Sequence, residues 1–198
     1  MKETIGVDNI TIMLSTGKKT HTYKDYKNLP EGAPYQLISG ELIMTPAPNT
    51  YHQRISKKLE WELFKLEEKG LGEVLYSPLD VYFSETETYQ PDLVFIIKER
   101  LNIIGEQKIE GAPDVIIEIL SPATAYYDLK AKMHVYEKSG VKEYWVVDPM
   151  EKSIEIYENK DGTFLLFDKA FLEKIKEKDS VSSRLFSSLK ISLEAIFK

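Results

Sequence analysis

The run Ala112-Pro113-Asp114-Val115-Ile116-Ile117-Glu118-Ile119-Leu120-Ser121-Pro122 constrains the fold of this 198-residue chain more than any other stretch. Prolines bound an apolar, β-branched segment that reads as a buried strand, and one carboxylate sits within it. An ionised carboxylate in an interior needs a cation or a metal beside it, because desolvating it alone costs more than a domain's whole folding margin. Glu118 is therefore either a member of an ion pair or a metal ligand.

The chain is long enough for one sizeable core, and a single domain over residues 23–198 is expected. Residues 1–22 are polar apart from Ile10-Thr11-Ile12-Met13-Leu14 and are compatible with an N-terminal arm or an edge strand. No apolar run approaches the ~20 residues of a membrane span, and no basic-then-apolar leader opens the sequence, so a soluble cytoplasmic protein without membrane partners is expected. Cysteine is absent, which excludes disulfides, thiolate metal sites and a cysteine nucleophile. A metal would then sit on oxygen or imidazole, and with three histidines in the chain carboxylates are the richer source. The net charge of −6 argues against a protein that coats nucleic acid through its overall charge, but it leaves a nuclease open.

The order of elements gives the fold class. Residues 35–44 have strand character on both sides of Ser39-Gly40-Glu41, a hairpin signal ended by Pro46 and Pro48. Thr50 with Gln53 makes a capping-box pattern, and Ile55, Leu59, Leu63 and Leu66 recur at helical spacing until Gly70. Strands follow at 74–76, 81–83, 93–97 and 115–120. A helix is expected over 125–138, closed by Gly140, and then a strand at 143–149. A hairpin at 154–157 and 164–167 flanks Asn159-Lys160-Asp161-Gly162, and a short helix at 193–197 finishes the chain. The pattern predicts an α/β (α+β) fold: a mixed β-sheet flanked by helices, with an N-terminal and a C-terminal hairpin added.

Alternation supplies a second carboxylate. Asp92 opens Pro91-Asp92-Leu93-Val94-Phe95-Ile96-Ile97 on the side of Val94 and Ile96, while Glu118 lies on the side of Ile116 and Leu120. If the two strands are neighbours, both acids can converge on one hard cation such as Mg²⁺, which accepts a phosphate oxygen and activates water. In the helix over 125–138, Leu129, Met133 and Tyr136 mark the expected buried stripe, and Lys132 borders it. Lys130 lies roughly 200° around the helix from Lys132 and should face solvent. Asp128, four residues before Lys132, can pair with it. Spacing alone leaves two readings open: a buried Glu118–Lys132 pair that fixes helix to sheet, with Asp92 as a strand-start cap, or a metal site.

Residues 35–42, Pro91-Asp92-Leu93-Val94, 112–122, 128–136 and the Gly140 to Pro149 stretch with Glu143-Tyr144-Trp145 together resemble the Uma2 family of proposed restriction endonucleases. The likeness runs in order from about Tyr23 to the 193–197 segment. That family is similar to the PD-(D/E)XK nuclease superfamily, a mixed sheet with a helix on each side. The resemblance implies a metal-dependent endonuclease that hydrolyses DNA phosphodiester bonds with Mg²⁺ or Mn²⁺. Asp92 and Glu118 would be the metal ligands and Lys132 the catalytic cation. The superfamily pattern wants lysine two residues after the glutamate; Leu120 stands there, and Lys132 matches the position from which Uma2-like proteins supply it. Gln36 stands where family members often carry Glu, so no carboxylate role passes to it. Glu41, His52 and Asp128 are accessory candidates; His52 matches a recurring position able to touch phosphate, or is an exposed residue at a capped helix start. Tyr144 and Trp145 read as core rather than as base-stacking groups, and the mixed-sign 169–178 run reads as a solvated face. A homodimer is admitted by analogy with double-strand cutting. The alternative is a nuclease-like fold that binds nucleic acid or protein without cutting; a hydrolase of another phosphate ester would use the same residues.

Overall fold

A computed structural model of the chain describes residues 20–30, 32–122, 125–173 and 178–198. The elements run α1 (Tyr23–Tyr26), β1 (Tyr35–Ile38), β2 (Glu41–Met44), α2 (Thr50–Glu67), β3 (Gly72–Tyr76), β4 (Asp80–Ser84), β5 (Glu87–Tyr89), β6 (Leu93–Ile97), a 3₁₀ segment at Lys98–Ile103, β7 (Lys108–Glu110) and β8 (Val115–Ile119). There follow α3 (Ala125–Tyr127), a π-helical turn at Asp128–Lys132, α4 (Met133–Ser139), β9 (Glu143–Asp148), β10 (Ser153–Lys160), β11 (Thr163–Phe171), β12 (Ser180–Ser182), β13 (Lys190–Ser192) and α5 (Leu193–Phe197). Of the arm or edge strand expected over residues 1–22, residues 1–19 lie outside the described residues.

The main sheet has the order β11-β10-β9-β8-β6-β3. Its β8–β9 pair is parallel and therefore needs a crossover, which α3, the π turn and α4 provide. The other pairs of this sheet are antiparallel. A second sheet runs β2-β1-β5-β4-β7, and β12 pairs with β13. The expected mixed sheet flanked by helices is present, and the two hairpins have different fates. The C-terminal one, β10–β11, extends the main sheet, whereas β1–β2 belongs to the second sheet. Both turn on residues with positive φ, Ser39-Gly40 and Asp161-Gly162, the backbone that lets a two-residue turn match strand twist.

Every residue of β8 is buried because both faces of the main sheet are covered. On one face Phe95, Ile117, Ile119, Trp145 and Val147 pack with Ile55, Leu59, Leu63 and Leu66 of α2 and with α5. Each such aliphatic side chain contributes about 1.5–3 kcal/mol by its burial. On the other face Val94, Ile96, Ile116, Tyr144 and Val146 meet Tyr136 of α4 together with Ile38, Val81 and Tyr89 of the second sheet. Trp145 and Tyr144 are core residues, as their strand setting predicts.

Two local expectations are corrected. The cap of α2 is Asn49, whose side chain accepts from the amides of Tyr51 and His52, rather than the Thr50–Gln53 box. In the crossover helix the residues turned inward are Asp128, Lys132 and Tyr136, while Leu129 is 39% exposed. A π turn carries an extra residue relative to the 3.6 period, so it rotates the helical phase and swaps the polar pair inward for the leucine.

Candidate functional site

Strand pairing builds the site. Leu93 opposes Ile117 and Val94 opposes Ile116 across β6 and β8; one further step in this register sets Asp92 across from Glu118. Asp92 precedes β6 and does two jobs with its carboxylate. Its Oδ2 accepts the Ile119 amide at 2.7 Å, and its Oδ1 lies 2.8 Å from His52 Nε2. The helix start at Asn49 thus delivers His52 to the end of the main sheet, where it is buried rather than exposed.

Glu118 points to the opposite face from α2, toward the crossover helix. Its Oε1 accepts from Lys132 Nζ at 3.0 Å and from the Tyr136 hydroxyl at 2.6 Å. Lys132 Nζ also stands 2.9 Å from Asp128 Oδ1. That oxygen is buried and within charge-attraction range, yet it makes no aligned hydrogen bond. The Tyr144 hydroxyl donates to the Asp128 backbone carbonyl at 2.9 Å, which satisfies a group in the widened turn. The Tyr89 ring faces Lys132 with its centroid 6.0 Å from Nζ. Asp128, Lys132 and Tyr136 succeed one another at four-residue steps, so the π turn and the helix after it present one polar stripe to the sheet.

The charges do not balance. Asp92 has the His52 imidazole, while Glu118 and Asp128 share the one ammonium of Lys132. Burial raises the Glu118 pKa; Lys132 opposes that rise, Asp128 and Asp92 add to it, and the result stands well above the usual carboxylate range. Burial alone would lower the Lys132 pKa, but Glu118 and Asp128 outweigh it and hold the amine protonated. Tyr136 is kept firmly protonated, by burial first and then by Glu118, and so remains a donor. Ionised together, Asp92, Glu118 and Asp128 would outnumber the cations; the raised Glu118 pKa means that a proton offsets the excess, and a divalent cation would do the same.

Of the residues singled out in the sequence, Glu118 of β8 meets Lys132 of the crossover helix, which also meets Asp128, while Asp92, just before β6, meets His52 of α2. Glu41 stands on β2 in the second sheet, opposite Ile38. Lys130 is exposed. Among the described residues no group of three or more Asp, Glu or His side chains is arranged to hold a metal ion. As a donor pair, Asp92 and Glu118 would suit a cation that keeps several waters and takes remaining ligands from a phosphate. Sequence reasoning placed Tyr136 in the core but missed its hydrogen bond to Glu118; its place four residues after Lys132 was the available signal.

The Glu143-Tyr144-Trp145 signature has a structural explanation. Glu143 is buried and accepts from Trp145 Nε1 at 2.9 Å, from Ser183 Oγ at 3.0 Å and from the Leu185 amide. These bonds tie the segment before β13 to the main sheet. Burial raises the Glu143 pKa, and the three donors oppose that rise.

Residues 22–193 match the model of the family Uma2, described as "Putative restriction endonuclease". An uncharacterised protein of Synechocystis, sll1609, is 27% identical over 129 residues, covering 62% of this chain and 71% of that protein. A crystal structure from Anabaena variabilis, described as a "putative nuclease belonging to DUF820", superposes with a TM-score of 0.72 at 24% identity. The overlap covers 89% of this chain and 97% of that one, and it shows a shared fold.

Proposed function

This chain belongs to the Uma2 family, and from that premise we propose that it is a metal-dependent endonuclease hydrolysing DNA phosphodiester bonds. The observation that carries the proposal is the placement of Asp92, one residue before β6, close enough to Glu118 on the neighbouring β8 to raise its pKa, in a cluster with more carboxylates than cations. Asp92 and Glu118 would hold Mg²⁺ or Mn²⁺. Such an ion, when bound, lowers the pKa of a coordinated water and takes up charge on the phosphate.

The chain's own residues supply the rest. His52 and the Ile119 amide fix the Asp92 carboxylate, and Tyr136 fixes Glu118. Lys132 stays protonated and therefore serves as a positive charge and donor for the attacking water or the scissile phosphate, not as a base. Asp128 holds the lysine in position through the i,i+4 pair. No helix among the described residues is long and apolar enough to cross a membrane; action on cytoplasmic DNA is part of the proposal.

Incubating DNA with the purified protein and Mg²⁺ or Mn²⁺ tests this. Asp92→Ala should cut cleavage by more than about a hundredfold, the loss expected when several kcal/mol of transition-state stabilisation disappears. Cleavage unaffected by the substitution overturns the assignment. One observation favours a second reading, binding without cutting: Lys132 already engages both Glu118 and Asp128. Saturable DNA binding with no turnover in either metal would select it.

A further inference from the structure

We infer that the outward face of α2 is a homodimer interface, in which a second copy of this chain lays its own α2 antiparallel to the first across a two-fold axis passing between Trp61 and Phe64. Ile55, Leu59, Leu63 and Leu66 bury one side of this helix. Directly opposite, Lys57, Trp61, Phe64 and Glu68 follow at steps of four, three and four residues and form one stripe. Trp61 is 61% exposed and Phe64 38% exposed, and their rings stack with centroids 6.1 Å apart. Two large aromatics presented together to water are a costly surface for a monomer.

The shape beside them fits a helix of the same sequence. Lys57, Lys58, Glu60, Trp61 and Phe64 line a groove of about 430 Å³. Four of these residues, Lys57, Glu60, Trp61 and Phe64, stand at i, i+3, i+4 and i+7, the set that forms the hole for an incoming side chain when helices pack knobs into holes. A two-fold axis midway between Trp61 and Phe64 sets Phe64 of the second copy at the height of Trp61, over that hole. The same operation sets Glu68 of the second copy opposite Lys57, and Lys57 of the second copy opposite Glu68. Among the described residues neither Lys57 nor Glu68 has an ion-pair partner within its own chain. Apolar groups thus meet at the centre and opposite charges at both ends, as a self-complementary two-fold contact requires.

The stripe also argues against nucleic acid as the occupant. Glu60 borders the aromatic pair and Glu68 ends the stripe, so a phosphate backbone laid along it would meet acids as well as lysine. From Lys57 to Glu68 the seam is about 17 Å long, which places the contact among small interfaces and makes the dimer concentration-dependent.

Sedimentation equilibrium on the full chain over a range of concentrations tests the inference. The protein should show a monomer–dimer equilibrium, and Trp61→Glu should be a folded monomer whose thermal unfolding no longer depends on protein concentration, since the side chain faces outward. Lys57→Glu and Glu68→Lys should each weaken the dimer about tenfold, because two symmetric attractions become repulsions. The double exchange Lys57→Glu with Glu68→Lys should recover the wild-type affinity to within about threefold. A monomer at every concentration, a dimer untouched by Trp61→Glu, or an exchange that fails to recover affinity would each overturn it. The second of these outcomes would direct attention to the exposed Leu165, Leu166 and Phe167 on edge strand β11.

Discussion

Asp114 and Glu118 stand four residues apart, one just before β8 and one within it, and both are almost wholly removed from solvent. Their environments drive them in opposite directions. Burial pushes the Asp114 pKa up, but Lys142, the Ile97 amide and Arg100 together pull it below the usual range. Arg100 Nη1 lies 2.9 Å and Lys142 Nζ 2.8 Å from Asp114 Oδ1, while the Ile97 amide reaches Oδ2 at 3.0 Å. Glu118 suffers the same desolvation with one ammonium that it shares with Asp128, and its pKa rises. A buried acid with two cations pins a fold together, whereas a buried acid in a cluster short of cations is equipped to take one up.

The comparison breaks first on activity. Glu118→Gln should abolish cleavage, by more than about a hundredfold, and Asp114→Asn should leave the specific activity of the folded protein intact. A reversed pattern would mean that the two acids have been assigned the wrong roles.

Stability is the second point of comparison. Asp114→Asn removes the negative charge that Arg100 and Lys142 share. Those side chains are 33% and 43% exposed and can turn to water, so the loss should be about 2–3 kcal/mol, below the 3–5 typical of a fully buried pair. Glu118→Gln leaves the buried Lys132 with Asp128 alone, and relief of the repulsion from Asp128 and Asp92 offsets part of that loss, so the cost should fall below the about 3–5 kcal/mol typical of a broken buried pair. Urea denaturation of both variants measures the difference.

The acid limb of stability sharpens the contrast. Because the folded Asp114 pKa lies below its unfolded value, its contribution is fully present above the ordinary carboxylate range and is lost as pH falls through the folded value. Asp114→Asn should therefore flatten the decline in stability on the acid side, as followed by thermal unfolding at a series of pH values. An acid limb as steep as that of wild type would show that Asp114 is not the group being titrated. The smallest effect belongs to Lys130→Ala, within about 0.5 kcal/mol and without change in activity, because this lysine faces solvent.

Much of this arrangement is legible in sequence because it rests on period two. Alternation put Glu118 on the face of Ile116, away from α2, as the structure has it, whereas Asp92, one residue before β6, binds His52 of α2. Gly70 and Gly140 marked helix ends, and α2 and α4 stop just before them. The expected Leu129-Met133-Tyr136 stripe failed at its first member, since a fixed 3.6-residue period carries no sign of a π turn. The exposed helix start expected at His52 failed for another reason: its partner Asp92 lies 40 residues away, and local spacing says nothing about it. The strands β5, β7, β12 and β13 have three residues each, too short to show alternation. Asp114 went unremarked because its cations come from Arg100 and Lys142, on separate segments of the chain.

The central claim is that the cluster around Glu118 lacks a cation that the cluster around Asp114 already has. Calorimetric titration of the protein with Mn²⁺, in parallel with Glu118→Gln and Asp114→Asn, addresses it most directly. The account predicts saturable binding to the wild type and to Asp114→Asn, and none to Glu118→Gln. Binding retained in Glu118→Gln, or no binding by the wild-type protein, would contradict it.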